Sequence, residues 1–158
     1  AAPWYDEYER IAPAFDLEMA RKNRIGHPAN DFRYTTADGR TRSLYSLKAD
    51  YTLLFFNNPD CSACGEILDA IKNSHLAELV HQKKLAVVAM YTDEDLSAWA
   101  RNREKYPKEW IYAFDHKLVL RDNNIYGLRA IPSLYLLDKD KRVILKDATV
   151  DMVINALL

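Results

Sequence analysis

Two cysteines occur in the 158 residues, Cys61 and Cys64, separated by Ser62-Ala63. In the chain-entropy account a disulfide stabilises by closing a long loop in the unfolded chain. A bridge across two residues does little of that, so the pair calls for a chemical explanation. The species that attacks a disulfide is the thiolate, and a free cysteine, with a pKa of roughly 8.5, offers little of it at neutral pH. Asn58-Pro59-Asp60 reads as a turn, and a helix is predicted to open at Cys61. A helix start carries unpaired N–H groups and about half a unit of positive charge, which favour an anion. Cys64 follows about one turn later, near enough to close a disulfide and more buried. Cys61 is therefore the expected nucleophile and Cys64 the expected resolving thiol. Zinc also uses this spacing, but it takes four ligands. There is no second cysteine pair, and His27, His75, His81 and His116 form no ligand cluster in sequence. No metal and no other cofactor is expected.

A second candidate lies about seventy residues downstream, at Ile131-Pro132. X–Pro is the only common cis peptide. A cis-proline loop beside the cysteines would offer the backbone of Ile131 to an incoming peptide for strand-like pairing.

The elements that must position these residues follow from the apolar pattern. Residues 4–24 read as helical, interrupted by Pro13 and ended by Gly26-His27-Pro28. Phe32–Tyr34 and Arg42–Tyr45 read as strands around Asp38-Gly39, a hairpin-turn pair. Tyr51–Asn57 is a continuous apolar run ending in Asn, as expected of a strand buried on both faces. One helix is predicted from Cys61 to about His81, and a second buried strand over Leu85–Thr92. An amphipathic helix from Asp95 to about Tyr106 should turn Leu96, Trp99 and Ala100 to one side. Trp110–Phe114 is strand-like. A short helix from Lys117 to about Tyr126 is expected to be closed by a left-handed Gly127. Ser133–Leu137 and Arg142–Lys146 form an antiparallel pair about Asp138-Lys139-Asp140, and Thr149–Leu158 is a closing helix with Thr149 or Asp151 as its cap. Strand–helix–strand units imply parallel central strands, and the two hairpins add antiparallel ones. The fold class is α/β with a mixed central sheet, and two segments are expected: a helical extension over 1–27 and one domain over 28–158.

Composition narrows the function classes. Hydrophobic residues make up 49% and charged residues 28%, enough apolar material for one full core. Lys+Arg number 22 against Asp+Glu 23, so no basic excess argues for nucleic acid. Apolar runs such as Leu53–Phe56 are far too short to span a bilayer. The opening Ala1-Ala2-Pro3-Trp4 lacks Met and is consistent with a secreted chain cut at a small-residue site or with an arbitrary boundary; the expectation is the former.

The stretch Phe55-Phe56-Asn57-Asn58-Pro59-Asp60-Cys61-Ser62-Ala63-Cys64, with Tyr126-Gly127-Leu128-Arg129-Ala130-Ile131-Pro132-Ser133-Leu134-Tyr135-Leu136-Leu137-Asp138, resembles the thioredoxin-like superfamily. Asn30-Asp31-Phe32, Asp38-Gly39-Arg40 and Leu44–Leu47 are similar to the hairpin extension of its TlpA/ResA branch, and the whole is similar to secreted variants from Bacteroidetes. The resemblance spans roughly 28–158. It implies a thioredoxin fold, a thiol–disulfide oxidoreductase acting on protein thiols and disulfides with a redox partner protein, and a periplasmic or otherwise extracytoplasmic site of action. It also implies Cys61 as nucleophile, Cys64 as resolving cysteine, and Ile131 with a cis Pro132 as the substrate-binding loop. The chain departs from the pattern in places. Asp60 stands where the family has Trp; its carboxylate is expected to cap the helix while opposing a thiolate at Cys61. Phe55 stands where thioredoxin has a buried Asp, and Glu66 is a candidate replacement that could equally be a solvated helix residue. Asp60 and Glu66 are thus the candidate tuning residues. A peroxidase would resemble Pro-x-x-x-Thr-x-x-Cys, and the Thr is missing here. The competing class is a binding module that keeps the fold and carries the cysteines as a redox-sensitive clip. Trp99, Trp110, Tyr91 and Tyr112 could line a groove but are expected to be packing residues.

Overall fold

The computed structural model describes residues 22–128 and 130–158. The helical expectation over 4–24 lies outside the described residues up to position 21; the described end, residues 22–24, is turn and not helix, with Asn23 at φ +54°. Strands β1 (Arg33–Thr36) and β2 (Thr41–Ser43) form the expected hairpin. Gly39 takes a φ of +80°, and the Asp38 carboxylate accepts from Thr36 Oγ1 and, at 3.0 Å, from the Arg40 amide. β2 stops before Leu44, because Leu44–Ser46 turns as a 3₁₀ helix that buries Leu44 completely. The remaining strands are β3 (Tyr51–Phe56), β4 (Leu85–Tyr91), β5 (Ile111–Asp115), β6 (Ser133–Leu137) and β7 (Val143–Leu145). They make one seven-stranded sheet in the order β2-β1-β5-β4-β3-β6-β7. β3–β4 and β4–β5 are parallel and the other pairings antiparallel, the mixed α/β arrangement of the thioredoxin fold.

β3 is apolar from Leu53 to Phe56 because both its faces are covered there. Leu53 and Phe55 point to one side with Val87, Ala89 and Leu136. Leu54 and Phe56 point to the other with Val88, Met90 and Leu137. The first side is roofed by α1 (Ser62–Lys72), α2 (Leu76–His81) and α5 (Val150–Ala156) through Cys64, Leu68, Ile71, Leu76, Val80 and Val153. The second is closed by a ring cluster in which Tyr126 meets Phe32, Phe56 and Tyr135 at centroid distances of 5.5, 5.3 and 5.1 Å.

Three helix expectations need correction. The helix after the cysteines is two helices, not one. The Ser74 hydroxyl donates to the Ile71 carbonyl at 3.0 Å and accepts from the Leu76 amide at 3.2 Å, so local side-chain bonding interrupts the helical ladder between Ser74 and Leu76. The helix after β4 is short, α3 (Leu96–Arg101), capped by Asp95, and it buries Ala98 and Trp99 while Leu96 and Ala100 face out. The helix after β5 is a single turn, α4 (Val119–Asp122), and the left-handed residue that follows it is Asn124, at φ +51°; Gly127 lies further on, also at positive φ. Thr149 caps α5 as expected, its side chain accepting from Met152 N at 3.2 Å.

Candidate active site

The turn into α1 is built by Asn58. Its backbone carbonyl accepts from Cys61 N at 3.0 Å and its side-chain oxygen accepts from Asp60 N at 2.9 Å, with Pro59 at the second turn position, where a fixed φ is favourable. This delivers Cys61 in extended backbone (φ −95°, ψ 122°) as the N-cap of α1. Its Sγ accepts from Cys64 N at 3.3 Å, and its carbonyl accepts the first helical bond from Gly65 N at 3.1 Å. The cap is therefore the sulfur itself, and the expectation that the Asp60 carboxylate caps the helix is corrected: Asp60 precedes the cap and is exposed. Cys61 is half-buried and Cys64 buried; both are free thiols. Burial first, then its hydrogen bond to the Cys61 sulfur, pushes the Cys64 thiol up to about 12, so its proton stays on. The structure thus separates the pair into an accessible sulfur fed by an amide and a buried thiol leaning on it.

The Ile131–Pro132 peptide is cis. Phe56 pairs with Ser133 across β3 and β6, so the residues just beyond that pair, Asn57 and Pro132, come together at the same end of the sheet. Ile131 is half-buried and packs against the same core cluster as Cys61. A cavity of about 310 Å³ runs between this loop and the turn, lined by Ile131, Asn57, Asn58, Tyr91, Thr92 and Asp93. A second, of about 410 Å³, opens beside Cys61 and is lined by Pro59, Asp60, Ser62, Lys105 and Tyr106. Lys105 Nζ donates to the Pro59 carbonyl at 3.3 Å, bringing a positive charge against the turn. Glu66 is exposed on α1, and Phe55 is fully buried. Trp99, Trp110, Tyr91 and Tyr112 are all buried, with Trp99 stacked on Tyr112 at 5.0 Å; they are packing residues.

Sequence reasoning overlooked one polar pair. Tyr106 donates its hydroxyl proton to Asn57 Oδ1, and Asn57 Nδ2 donates to the Phe55 carbonyl at 3.0 Å. Both residues are buried, and Tyr106 shares the cavity beside Cys61. The one signal was the Asn that ends the apolar run of β3. Among the described residues no group of three or more His, Cys, Asp or Glu side chains is placed to hold a metal ion.

The fold and the paired thiols define a thioredoxin-like protein. The AhpC/TSA family matches residues 25–146, and the chain belongs to that family. It is 46% identical to a thioredoxin-like protein from Bacteroides caccae of known crystal structure, with a TM-score of 0.91, covering 96% of this chain and 55% of that one. The chain thus spans about half the length of that relative. It is also 46% identical to the C-terminal domain of an uncharacterised Bacteroides fragilis protein (TM-score 0.83, covering 85% of this chain and 97% of that one). A domain of a possible thiol-disulfide isomerase from Cytophaga hutchinsonii is 26% identical, with a TM-score of 0.71, covering 87% and 92%. No curated protein matches.

Proposed function

We propose that the chain is a thiol–disulfide oxidoreductase acting on protein substrates, with Cys61 as nucleophile and Cys64 as resolving thiol. The carrying observation is the asymmetry of the pair: the Cys61 sulfur caps α1 and receives the Cys64 amide, while the Cys64 thiol is buried against it. In the reducing direction the Cys61 thiolate attacks one sulfur of a substrate disulfide and expels the other as a thiolate. Cys64, on losing its proton, attacks Cys61 Sγ; the Cys61–Cys64 bond forms and the substrate leaves as a second thiolate. A dithiol redox partner protein then restores the reduced pair, and the reverse sequence oxidises substrates. The cis loop at Ile131–Pro132 holds the substrate backbone beside the cavity it shares with Asn57 and Asn58. Asp60 opposes, and Lys105 favours, negative charge at the turn. Membership of the AhpC/TSA family and likeness to a possible thiol-disulfide isomerase support the reading. The resemblance to the TlpA/ResA branch supports an extracytoplasmic location, and no helix among the described residues is long and apolar enough to cross a membrane.

Reduction of insulin by dithiothreitol tests this. The expected result is acceleration by the wild-type chain, none by Cys61→Ser, and a trapped mixed disulfide with Cys64→Ser. Equal rates with wild type and Cys61→Ser would instead make the chain a binding module with a redox-sensitive clip.

A further inference from the structure

A third cavity, of about 490 Å³, lies away from the cysteines, and none of its lining residues lines the cavities at Cys61 or Ile131. Its origin is the unequal reach of two strands. β1 pairs with β5 only as far as Thr36 opposite Ala113, and the chain then turns away through Ala37-Asp38-Gly39. Ile111 and Tyr112 run on beyond that end, and the notch beside them is the cavity. Its floor is apolar, built by the buried Trp110 and Tyr112 with Leu47 and Ile111.

Its rim is cationic. Arg42 stands directly opposite Tyr34 in the hairpin, so the two side chains share a face. Arg103 lies over the Tyr112 ring, its guanidinium carbon 5.4 Å from the centroid. Among the described residues neither guanidinium is in a hydrogen bond or in an ion pair with a carboxylate. Asp38, the carboxylate in the wall, is already engaged: it accepts from Thr36 Oγ1 and the Arg40 amide, and Arg40 Nε stands 3.7 Å from it. Tyr34 lines the same cavity at 1% exposure, and its hydroxyl has no hydrogen-bond partner among the described residues, so its proton is available to an acceptor in the space. Burial raises the Tyr34 phenol and the charge of Arg42 works against that rise, as a guanidinium close to the hydroxyl would. Two unpaired guanidiniums are donors of the geometry that oxyanions take. The space is large enough for a molecule and not only an ion, since pockets for small ligands begin at about 300 Å³.

We propose that this notch is a binding site for an oxyanion carried on a flat aromatic body, an aryl-bearing carboxylate or phosphate. Arg42 and Arg103 hold the anionic group, Tyr34 donates its hydroxyl proton to it, and the ring lies against Trp110 and Tyr112. The site stands independently of the roles assigned to Cys61 and Cys64.

Isothermal titration of the full chain with 1-naphthaleneacetate, 1-naphthyl phosphate and the neutral 1-naphthaleneacetamide tests the proposal. At least one of the anions is expected to bind, the tighter of them naming the anionic group, and the amide to bind at least about tenfold more weakly, the scale of a lost hydrogen bond to a charged group. This comparison uses the wild-type chain alone and holds whether or not a variant folds. Arg42→Gln and Arg103→Gln should each weaken the anion by about 10- to 100-fold. Tyr34→Phe should weaken it by about fivefold while leaving the urea midpoint in place, because the hydroxyl it removes has no partner within the fold. An amide that binds as tightly as the anions, anion binding unmoved by both arginine substitutions, or no binding of either anion at millimolar concentration overturns the site.

Discussion

Replacing Cys61 with Ser isolates the thiol that the fold holds protonated. Burial is the larger influence on Cys64 and the hydrogen bond to the Cys61 sulfur the next, and together they push it up to about 12 from an ordinary 9.0. Three pH units mean about a thousandfold less thiolate at neutral pH. Serine at position 61 leaves the burial in place and changes only the partner of the weaker influence. In folded Cys61→Ser at pH 8, Cys64 should therefore react with iodoacetamide at least about 10²-fold more slowly than in the same chain unfolded in guanidinium, since the thiolate is the reactive form. Restricted access would slow it too, and the pH profile separates the causes. The unfolded thiol levels off above roughly pH 9, whereas folded Cys64 should keep gaining about tenfold per pH unit beyond pH 10. A folded profile that levels off with the unfolded one refutes the desolvation argument. The sign for stability follows. A thiol whose folded value is raised contributes stability that is complete below its unfolded value and is lost as pH climbs towards the folded one. Denaturant midpoints of Cys61→Ser should accordingly fall between about pH 9 and 12 faster than those of a variant that also carries Cys64→Ala.

Thr149→Ala removes the hydroxyl that accepts the Met152 amide at the start of α5. Urea titration should show a loss of about 1 kcal/mol, with α5 still placed over α1. Asp115 is buried at the end of β5, and its two carboxylate oxygens accept from the Leu120 and Arg121 amides at 2.9 Å each. Burial outweighs those bonds and raises its pKa from the ordinary carboxylate value. Its contribution to stability is therefore present at acid pH and is lost as pH rises through its folded value. Wild-type stability relative to Asp115→Asn should fall as pH is raised above about 4, and a flat difference across that range would count against the burial argument.

The fold was legible where residue type and position coincide. β3 could be read because both faces are covered, so every position from Leu53 to Phe56 is apolar; β6 announced itself in the same way. The Asp38-Gly39 hairpin and the Thr149 cap were legible because each depends on residues within a few positions of one another. Helix lengths were not. Ser74 closes on Ile71 and Leu76 through its own hydroxyl, and an apolar period cannot reveal that choice. Leu96 is a further case: it matches the spacing of Trp99, yet Ala98 takes the inner position because the short α3 meets β5 at Trp99 and Tyr112.

Two thiols at helical spacing after a turn were enough for the sequence to single out the candidate reactive atoms and the sulfur proposed to lead, because that choice depends on one turn of backbone and the amides it exposes. The cis loop could be named as a candidate but not placed. Its approach to Asn57 is a consequence of β3 pairing with β6, a register set by packing on both sides of the sheet. The helix cap passed from Asp60 to the Cys61 sulfur because the turn built by Asn58 keeps Cys61 extended and starts the helix at Ser62, one residue later than the sequence suggested. Tyr106, 45 residues beyond Cys61, reached the cysteines only when the strands had assembled and left a buried Asn57 that required a partner.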